Sequence, residues 1–461
     1  MSLRSLHVVV LAAGKGTRMK SRLPKVLQPL GGRPLLAHVL DAVAPLAAAR
    51  TVVVVGHEAA QVEAAFNGRD LHFVRQEPQN GTGHAAEVAL TALPDDGRTL
   101  IITGDTPLIT TSTLEQLTAA GGQDTLALLT CVVSDPTGYG RILRNTAGTV
   151  SRIVEHKDAV AANDGAVLAI REINTGLMCA PTAWLRRALA RLEPKNAQGE
   201  LYLTDIVGMA AVDGLGVETV ILNDEIEVAG VNDKAQLAAL ERALQARRAR
   251  ALMSAGVTLA DPARIDIRGQ LTCGSDVSID VGCVFSGTVV LGDGVAIGPH
   301  CVLTDCTIGA GTRVEAMSVI EGAVVGAQAR IGPFARLRPG TRLADEVHIG
   351  NFVETKNTTM GYASKANHLA YLGDATVGQR VNYGAGSITA NYDGANKHPT
   401  TIGDDVHVGS NCVLVAPVTL GAGGTIGGGS TITKDTPPGA LTVARARPVS
   451  IPGWKRPAKK S

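Results

Sequence analysis

Two periods of apolar residues divide the chain. In the first half, short β-rich runs alternate with longer helix-like stretches, and from about residue 263 an aliphatic residue recurs every six positions. The β-rich runs cover residues 8–11, 51–55, 71–74, 100–103 and 125–133, and helical stretches include 34–46 and 83–93. This alternation predicts βαβ units and a mostly parallel sheet with helices on both faces.

The six-residue period of the second half is not helical, because an α-helix repeats its apolar positions every three or four residues. A triangular parallel β-helix has this period, since each of its three faces is one six-residue unit with an inward aliphatic side chain. The period predicts roughly nine stacked coils. The members of the series are Ile267, Cys273, Ile279, Phe285, Leu291, Ile297, Leu303, Ile308, Val314, Ile320, Val325, Ile331, Leu337, Leu343, Ile349, Ile402, Val408, Leu414, Leu420, Ile426 and Ile432.

The six-residue period stops between Ile349 and Ile402, where the sequence is polar. Insertions in a solenoid form loops on one face, and that face often binds ligands. We therefore predict a long interruption that contains a binding site, with an ordinary surface loop as the alternative. Its polar residues are Asn351, Glu354, Lys356, Asn357, Lys365, Asn367, His368, Tyr371, Asn382, Tyr383, Asn391, Tyr392 and Asp393.

Residues 233–253 separate the two patterns. They are rich in Ala, Leu, Glu and Arg, which are strong helix formers, and Leu237, Leu240, Leu244 and Leu252 recur at helical spacing. A chain of 461 residues is also too long for one core. We predict an N-terminal domain over 1–232, a linker helix over 233–253 and a β-helix domain over 254–461.

Composition excludes several classes of protein. A net charge of +1 gives no field of the size that nucleic acid binding needs, and no apolar run is as long as a membrane span. Seven cysteines without a CxxC pair argue against a disulfide framework or a zinc site and favour a reducing cytoplasm. The C-terminal tail is either a solvated end or a contact for an anionic ligand. Its basic residues are Arg445, Arg447, Lys455, Arg456, Lys459 and Lys460.

The loop after the first predicted strand has the composition of a phosphate cradle. Gly14 and Gly16 allow close approach of the backbone, whose N–H groups donate to anions, while Arg18 and Lys25 can neutralise a triphosphate. The spacing matches neither GxGxxG nor GxxxxGK[ST]. Together with Pro24 before Lys25, the loop resembles the signature of nucleoside-diphosphate-sugar pyrophosphorylases, which implies a Rossmann-like nucleotidyltransferase domain.

Two further segments favour a nucleotide site. Gln76 and the Gly81-Thr82 pair precede a predicted helix, in a loop suited to reading a base and packing on a ribose. Thr103, Gly104 and Asp105 close an apolar strand, and ligands bind at the carboxyl edge of such sheets. Asp105 is either a turn residue or, as we predict, a ligand of Mg²⁺, which prefers hard oxygen ligands and substrate phosphates.

Both halves together resemble one family. The chain combines the pyrophosphorylase loop, a helical arm, a hexapeptide region with Ser-Lys-Ala-Asn-His at 364–368, Asn-Tyr-Asp-Gly at 391–394 and a basic tail. This order is similar to that of the bifunctional N-acetylglucosamine-1-phosphate uridyltransferase and glucosamine-1-phosphate N-acetyltransferase family of bacterial cell-wall precursor synthesis. The resemblance covers essentially the whole chain and implies a left-handed β-helix.

The resemblance implies two consecutive reactions. Acetyl-CoA acetylates glucosamine-1-phosphate in the C-terminal domain. The N-terminal domain then transfers UMP from UTP to N-acetylglucosamine-1-phosphate with Mg²⁺ and releases pyrophosphate. The family's acetyl-transfer sites lie between neighbouring β-helices, so a cytoplasmic homotrimer is also implied.

The resemblance assigns residues to the uridylyl site. Asp105 and Asn232 are implied as Mg²⁺ ligands, although Asn232 also stands where the linker helix needs an N-cap, unless Asp233 takes that role. Gly140, Glu155 and Asn174 are implied as sugar contacts, and Lys25 as a phosphate contact. The nucleotide contacts implied are Leu11, Ala12, Ala13, Gly14, Gln76, Gly81, Thr82, Thr103 and Gly104.

The resemblance assigns the acetyl-transfer site in the same way. His368 is implied as the general base, a role that suits a pKa close to working pH, and Glu354 is a candidate to orient it. Arg338 and Lys356 are implied to bind the sugar phosphate, and Tyr371 and Asn382 the sugar. The acetyl-CoA contacts implied are Ala385, Asn391, Tyr392, Ser410, Gly428 and Arg445. Asn367 and Tyr383 depart from the Gly and the smaller aliphatic residue usual in relatives.

Two alternatives stay open at this point. The first alternative is a single-activity pyrophosphorylase for another nucleotide or sugar, in which the β-helix serves only oligomerisation or regulation. The second alternative is that the β-helix is a structural scaffold without catalysis. The polar stretch between Ile349 and Ile402 argues against the first of these alternatives.

Overall fold

The computed structural model describes residues 5–120, 122 and 124–457, and the chain divides into two compact units, Met1–Leu244 and Gln245–Ser461. Among the described residues, no helix combines the length and apolar character needed to cross a membrane.

Unit 1 is built on a nine-stranded, mostly parallel sheet in the order β11-β7-β10-β6-β1-β4-β5, with β8 and β9 attached through β10. Only β10 runs antiparallel to its neighbours β6 and β7 along that order. Its strands are β1 Leu6–Leu11, β2 Pro29–Leu30, β3 Arg33–Pro34, β4 Arg50–Val55, β5 His72–Arg75, β6 Arg98–Thr103, β7 Thr125–Val132, β8 Arg141–Arg144, β9 Val150–Val154, β10 Glu172–Pro181 and β11 Gly216–Leu222, of which β2 and β3 form a separate hairpin.

Helices cover both faces of this sheet. Val8 and Val10 of β1 belong to the apolar core on one face and Val9 to the core on the other, and all three are fully buried. A strand buried on both faces needs a continuous apolar run, which is what the sequence has there. The helices are α1 Leu35–Val43, α2 Ala59–Ala65, α3 Thr82–Leu90, α4 Thr111–Ala119, α5 His156–Ala161, α6 Gly165–Leu168, α7 Thr182–Leu189 and α8 Ile206–Val212. The predicted α/β architecture of this half is confirmed.

Helix α9, Lys234–Ser254, contains the boundary between the two units. Its first turn is capped by Asp233, whose Oδ1 accepts from the N–H of Gln236 at 2.8 Å. The helix therefore leaves the side chain of Asn232 out of its N-cap. Leu240 packs in a small core of unit 1, and Ala249 belongs to the core of unit 2.

Unit 2 is a triangular parallel β-helix. One face is an eleven-stranded sheet in the order β12-β14-β16-β18-β21-β24-β27-β30-β33-β36-β38, and the other two faces are joined through the long strands β13, β15 and β17. Its strands are β12 Thr258–Leu259, β13 Ile265–Cys273, β14 Ser278–Ile279, β15 Cys283–Leu291, β16 Ala296–Ile297, β17 Val302–Ile308, β18 Arg313–Val314, β19 Val319–Glu321, β20 Val324–Val325, β21 Arg330–Ile331, β22 Arg336–Leu337, β23 Arg342–Leu343, β24 His348–Asn351, β25 Glu354–Lys356, β26 Thr359–Met360, β27 Lys365–His368, β28 Tyr371–Gly373, β29 Ala375–Val377, β30 Asn382–Tyr383, β31 Ile388–Ala390, β32 Thr400–Ile402, β33 His407–Val408, β34 Val413–Val415, β35 Val418–Leu420, β36 Thr425–Ile426, β37 Thr431–Ile432 and β38 Leu441–Thr442.

The six-residue period marks the interior of this β-helix. Every residue of the predicted series is buried except the half-buried Cys273. Parallel pairing stacks members of the series on one another, as in the pairs Ile279 with Ile297 and Ile331 with Ile349. The predicted parallel β-helix is therefore confirmed.

The prediction of a long interruption between Ile349 and Ile402 is wrong. The coils continue through this stretch, and only the loop formed by residues 391–399 leaves them. The coils stay in register because strand pairing, not aliphatic identity, defines them, as when Thr355 stacks between Leu337 and Leu372. The buried inward residues here are Thr355, Met360, Ala366, Leu372, Val377, Tyr383 and Thr389.

The eleven strands on one face exceed the roughly nine coils predicted, because the short end strands β12 and β38 lie outside the periodic series. Tyr383, which departs from the family's usual residue, is an interior side chain, and its hydroxyl finds no hydrogen-bond partner among the described residues.

Candidate active sites

A cavity of about 310 Å³ opens at the carboxyl ends of β1 and β6 in unit 1. Ten of the thirteen residues that line it belong to the predicted nucleotide, phosphate and metal contacts: Leu11, Ala12, Ala13, Gly14, Lys25, Gln76, Gly81, Thr82, Thr103 and Asp105. The sheet extends past its strands here, since the N–H of Ala12 donates to Val54 O and that of Gly104 to Leu11 O, each at 2.9 Å. The structure thus brings together segments that are far apart in sequence.

The Gly81-Thr82 turn is fixed from both sides. Gly81 has a φ of 103°, and a Cβ at this position would lie 2.5 Å from Leu201 O, so only glycine fits. The buried Gln76 donates from Nε2 to Gly81 O at 2.9 Å, and Thr82 Oγ1 accepts from the N–H of Leu203 at 3.1 Å. The turn is therefore held in place without any ligand.

Three lining residues were missed by the sequence analysis: Val26, Gln79 and Ala85. Gln79 has a clear structural task, because its Nε2 donates to the carbonyl oxygen of Ala13 at 2.7 Å. This bond ties the phosphate-cradle loop to the segment before Gly81. The two residues are 66 positions apart, and the sequence carries no signal for the contact.

Lys25 and Asp105 form an ion pair inside this cavity. Lys25 Nζ lies 2.5 Å from Asp105 Oδ2, and the two side chains are 16% and 17% exposed. The expected phosphate contact and the expected metal ligand are therefore neighbours. A ligand that binds either Lys25 or Asp105 therefore competes with the ion pair between them.

The chemistry of Asp105 and Asn232 suits the binding of a divalent metal ion. The N–H of Val231 donates to the backbone oxygen of Asp105 at 3.1 Å, which places Asn232 next to the carboxylate's segment. A Cβ on Gly230 would lie 3.6 Å from Asp105 Oδ2, so the segment before Asn232 passes close to the Asp105 carboxylate. One carboxylate and one amide are hard oxygen donors, and Mg²⁺ commonly completes such a set with water and substrate phosphates. The described residues contain no cluster of three or more His, Cys, Asp or Glu that could hold a metal on its own.

The three expected sugar contacts also lie together. The N–H of Asn174 donates to Gly140 O at 2.8 Å, and a Cβ on Gly140 would lie 3.3 Å from Glu155 Oε1. Glu155 accepts from Thr204 Oγ1 at 2.9 Å. Burial raises the pKa of Glu155, and the neighbouring carboxylate of Asp158 adds to this shift.

In unit 2, four of the predicted residues form a column on one edge of the β-helix. His368, Ala385, Ser410 and Gly428 each stand two positions after an inward residue of β27, β30, β33 and β36, and these strands pair in succession. The N–H of Gly386 donates to His368 O at 3.2 Å. We call this set the His368 column. Arg445 donates from Nη1 to Gly428 O and so ends the column.

The expected phosphate contacts form a second column. Arg338 and Lys356 each follow an inward residue of β22 and β25, which are paired, and Tyr371 lies on the next paired strand, β28. Asn382 is exposed on β30 and pairs with Lys365. These side chains are at least partly exposed on the surface of the β-helix.

Glu354 does not orient His368, contrary to our expectation. Its Oε1 accepts from Arg338 Nη1 at 2.8 Å, and this bond raises the pKa of Arg338. His368 Nδ1 instead lies 3.0 Å from Oδ1 of Asn351. Strand pairing explains the difference. Asn351 ends β24, which pairs with the strand of His368, whereas Glu354 begins β25, which pairs with β22 and β28.

The loop 391–399 supplies a cation that the sequence analysis did not assign. The ammonium group of Lys397 lies close enough to Lys356 to lower the pKa of Lys356, with burial a smaller cause. Two adjacent ammonium groups repel each other unless an anion lies between them. The available signal was the Asn-Tyr-Asp-Gly motif at 391–394, which ends three residues before Lys397.

Hydrogen bonds within the loop fix its shape. The carboxylate of Asp393 accepts from the N–H groups of Ala395 and Asn396 and contacts His398 Nε2 at 2.7 Å, and these bonds hold its pKa far below the usual range. At the base, Asn391 Nδ2 donates to Asp374 Oδ2 at 2.5 Å.

Asn391 and Tyr392, two of the implied acetyl-CoA contacts, stand at the base of this loop rather than in the His368 column. Asn391 is buried, whereas Tyr392 is 61% exposed and donates from its hydroxyl to Gly394 O at 2.6 Å. In the basic tail, Arg447, Lys455 and Arg456 are exposed. Lys459 and Lys460 lie outside the described residues.

A mostly parallel sheet with a cavity at its carboxyl edge and a parallel β-helix with a polar edge together define a transferase with two active sites. Family models agree with this class. The model of the MobA-like NTP transferase domain matches residues 8–259, the GMPPB C-terminal domain matches 267–386, and the bacterial transferase hexapeptide model, with six repeats, matches 399–434.

Curated relatives match over the full length. A protein of Acidovorax sp. (strain JS42) is 60% identical over 100% of both chains, and one of Methylibium petroleiphilum is 62% identical over 99% of this chain and 100% of its own. A protein of Chromobacterium violaceum is 57% identical over 99% of both chains. All three are named bifunctional protein GlmU.

The chain belongs to the GlmU family. It is a bifunctional enzyme, a uridyltransferase and acetyltransferase of UDP-N-acetylglucosamine biosynthesis. This excludes the two alternatives of a single-activity pyrophosphorylase and of a β-helix that serves only as a scaffold.

Proposed function

We propose that the cavity of unit 1 is the uridylyl-transfer site, at which UTP reacts with N-acetylglucosamine-1-phosphate. The observation that carries this assignment is the convergence of ten implied contact residues on one cavity, with the Lys25–Asp105 pair among them. The glycine turns at Gly14 and Gly81 bring backbone close to the nucleotide, and backbone N–H groups donate to its phosphates.

The reaction joins two anions, so charge neutralisation is the main task of the site. An oxygen of the sugar phosphate attacks the α-phosphorus of UTP, the bond from that phosphorus to the bridging oxygen breaks, and pyrophosphate leaves. Asp105 and Asn232 hold Mg²⁺, which neutralises phosphate charge when bound. Lys25 then contributes a positive charge to the phosphates, and no side chain acts as a nucleophile.

Gly140, Glu155 and Asn174 hold the sugar. As a carboxylate, Glu155 accepts hydrogen bonds from sugar hydroxyls, and Thr204 keeps one of its oxygens in place. Asn174 offers both a donor and an acceptor beside Gly140. Placement of the sugar fixes the direction from which its phosphate reaches UTP.

We propose further that the corner of the β-helix beside the His368 column is the acetyl-transfer site. Arg338, Lys356 and Lys397 bind the phosphate of glucosamine-1-phosphate, and Tyr371 and Asn382 contact its sugar. The proximity of Lys356 to Lys397 supports this assignment, because an anion relieves their repulsion.

At this site His368 acts as the general base. It takes a proton from the amine as the nitrogen attacks the thioester carbonyl of acetyl-CoA. The new C–N bond forms, the C–S bond breaks, and the proton passes from His368 to the departing thiolate. Acetyl-CoA lies along Ala385, Ser410 and Gly428, and its remaining contacts are Asn391, Tyr392 and Arg445.

We assign uridylyl transfer to residues 1–232, the linker to 233–253 and acetyl transfer to 254–461. The enzyme works in the cytoplasm as a homotrimer assembled through the β-helix. The stacked pair Phe334 and Phe352, with ring centroids 5.3 Å apart, supports assembly, because both are exposed apolar side chains on one edge of the β-helix.

The test is an incubation of the protein with glucosamine-1-phosphate, acetyl-CoA, UTP and Mg²⁺, with one component omitted at a time. The complete mixture yields UDP-N-acetylglucosamine, pyrophosphate and free CoA. Without UTP the product is N-acetylglucosamine-1-phosphate, and without acetyl-CoA no N-acetylated product forms. Uridylyl transfer that proceeds undiminished in EDTA, with N-acetylglucosamine-1-phosphate supplied, contradicts the metal assignment.

A further inference from the structure

Among the residues that the structure describes, the side chain of His368 bonds to one other side chain, at the edge of the β-helix. Its strand, β27, pairs in parallel with β24, and the register sets Asn351 directly beside His368. The distance from Asn351 Oδ1 to His368 Nδ1 is 3.0 Å, which is a hydrogen bond. Both residues stand two positions after an inward residue, Ile349 and Ala366 respectively, so Asn351 continues the His368 column by one coil.

The backbone holds this contact in place. The carbonyl oxygen of Asn351 accepts from the N–H of Leu369, immediately after His368, at 3.1 Å. Gly350 lets the two coils approach, because any Cβ at that position would overlap the carbonyl group of Asn367. The side-chain contact therefore rests on a fixed corner of the β-helix.

The chemistry of an amide oxygen decides the state of the ring. Oδ1 of asparagine only accepts hydrogen bonds, so the Nδ1 that faces it carries the proton. In a neutral imidazole the lone pair then belongs to Nε2, on the opposite side of the ring. An amide also has no charge, so it sets the tautomer without the strong rise in histidine pKa that a carboxylate causes.

The charged groups around this corner do not compete with Asn351 as the hydrogen-bond acceptor for Nδ1 of His368. The carboxylates of Glu354 and Glu315 are bound to Arg338 and Arg330, respectively. On the paired strands β24 and β27, the titratable side chains beside His368 include His348 and Lys365. A histidine and a lysine offer no acceptor with a negative charge to Nδ1.

We propose that Asn351 is a positioning residue for acetyl transfer: it accepts the Nδ1 proton of His368 and thereby holds the Nε2 lone pair toward the amine of glucosamine-1-phosphate. This inference deepens the proposed function and rests on the assignment of His368 as the base. Asn351 itself touches no reacting atom.

The test compares Asn351→Ala and Asn351→Asp with the unaltered enzyme. We expect Asn351→Ala to lower kcat for acetyl transfer by about tenfold to a hundredfold, which is less than the full contribution of a general base. KM for glucosamine-1-phosphate is expected to stay within about twofold, because the phosphate and sugar contacts are intact. Uridylyl transfer by the same preparation is the internal control for folding.

The isosteric Asn351→Asp variant tests the mechanism. A carboxylate still accepts from Nδ1 and restores much of kcat, but it raises the pKa of His368. The acidic limb of kcat/KM against pH is therefore expected to move upward by about one unit. A variant that only disturbs the corner would not shift this limb.

Three results would overturn the proposal. These are an unchanged kcat in Asn351→Ala, a loss in Asn351→Asp as large as in Asn351→Ala, and a pH profile that is the same in all three proteins. If Asn351→Ala loses both activities, the comparison of Asn351→Asp with the unaltered enzyme decides. Failure of the underlying function is recognised separately, because His368→Ala would then retain acetyl transfer.

Discussion

The two sites of this enzyme are fixed by different physical means. In unit 1 the site depends on irregular turns, such as Gly81 at a φ of 103°, and on partly buried charges in a cavity at the carboxyl edge of the sheet. In unit 2 the site depends on repetition, because side chains at one corner position of successive coils form the His368 column. The first site is specified by backbone conformation at single positions and the second by register.

The difference determines what a substitution does. In unit 1 a change at a turn or at the ion pair alters the shape or the charge balance of the cavity. In unit 2 the backbone ladder is independent of the exposed side chains, so a residue of the column can be exchanged with little effect on the coil. Single substitutions should therefore separate the two activities more cleanly in the β-helix.

His368→Ala has the largest expected effect and is the sharpest test of this separation. Acetyl transfer should fall by about a thousandfold, within the range that a general base contributes, while uridylyl transfer is unchanged. Both rates are measured on one preparation, with Lys434→Ala, an exposed position of the β-helix, as the control. Equal loss of both activities in a folded protein would point to damaged assembly instead.

Asp105→Ala is the matching change in unit 1. Loss of the carboxylate removes a metal ligand and leaves Lys25 without its partner, so uridylyl transfer should fall by about a hundredfold or more with acetyl transfer intact. The rate is measured as pyrophosphate release over a range of Mg²⁺ concentrations. Asp70→Ala, at an exposed position, is the control, and undiminished activity of Asp105→Ala would refute the metal assignment.

Lys397→Ala tests whether the loop 391–399 belongs to the acetyl-transfer site. Loss of one charge-assisted contact should raise KM for glucosamine-1-phosphate about tenfold with little change in kcat. The same change removes the repulsion that lowers the pKa of Lys356, so that pKa should rise. An unchanged KM would show that Arg338 and Lys356 bind the sugar phosphate without Lys397.

The smallest effect concerns pH and the buried carboxylate of unit 1. Burial raises the pKa of Glu155 from its usual 4.5, so the carboxylate becomes neutral at a higher pH than an exposed glutamate. As pH falls through that raised pKa, KM for N-acetylglucosamine-1-phosphate should rise severalfold, because the neutral acid is the weaker acceptor. Glu155→Gln should abolish this rise. Parallel pH dependence of KM in both proteins would show that Glu155 does not hold the sugar as a carboxylate.

Much of this architecture was predictable because it follows from periodicity. The first strands of unit 1 and the inward residues of the β-helix outside residues 350–401 appeared in the apolar pattern. The coils after Ile349 were not recognised, because their interior accepts Thr355, Ala366 and Tyr383 as long as pairing with the neighbouring coils is kept. A rule based on aliphatic identity fails where the interior changes its composition.

The sequence indicated which residues belong to the sites, but not which of them contact one another. Motifs indicated Lys25, Asp105 and His368, but the Lys25–Asp105 pair spans 80 positions and the contact of His368 with Asn351 spans 17. The expectation for Glu354 was wrong for the same reason, since only the folded coil shows which corner a carboxylate occupies. Folding creates these pairs, and the linear order does not contain them.

The stacking of whole coils has a consequence for how this enzyme can change in length. Each coil adds one strand per face, so an extra coil lengthens the prism by about 4.8 Å and leaves every other coil in register. An insertion of a single residue within a strand would turn the following side chains inside out. An engineered coil between His368 and Ser410 would therefore act as a spacer of known length. Its effect would be measured by comparing acetyl donors of different lengths as substrates.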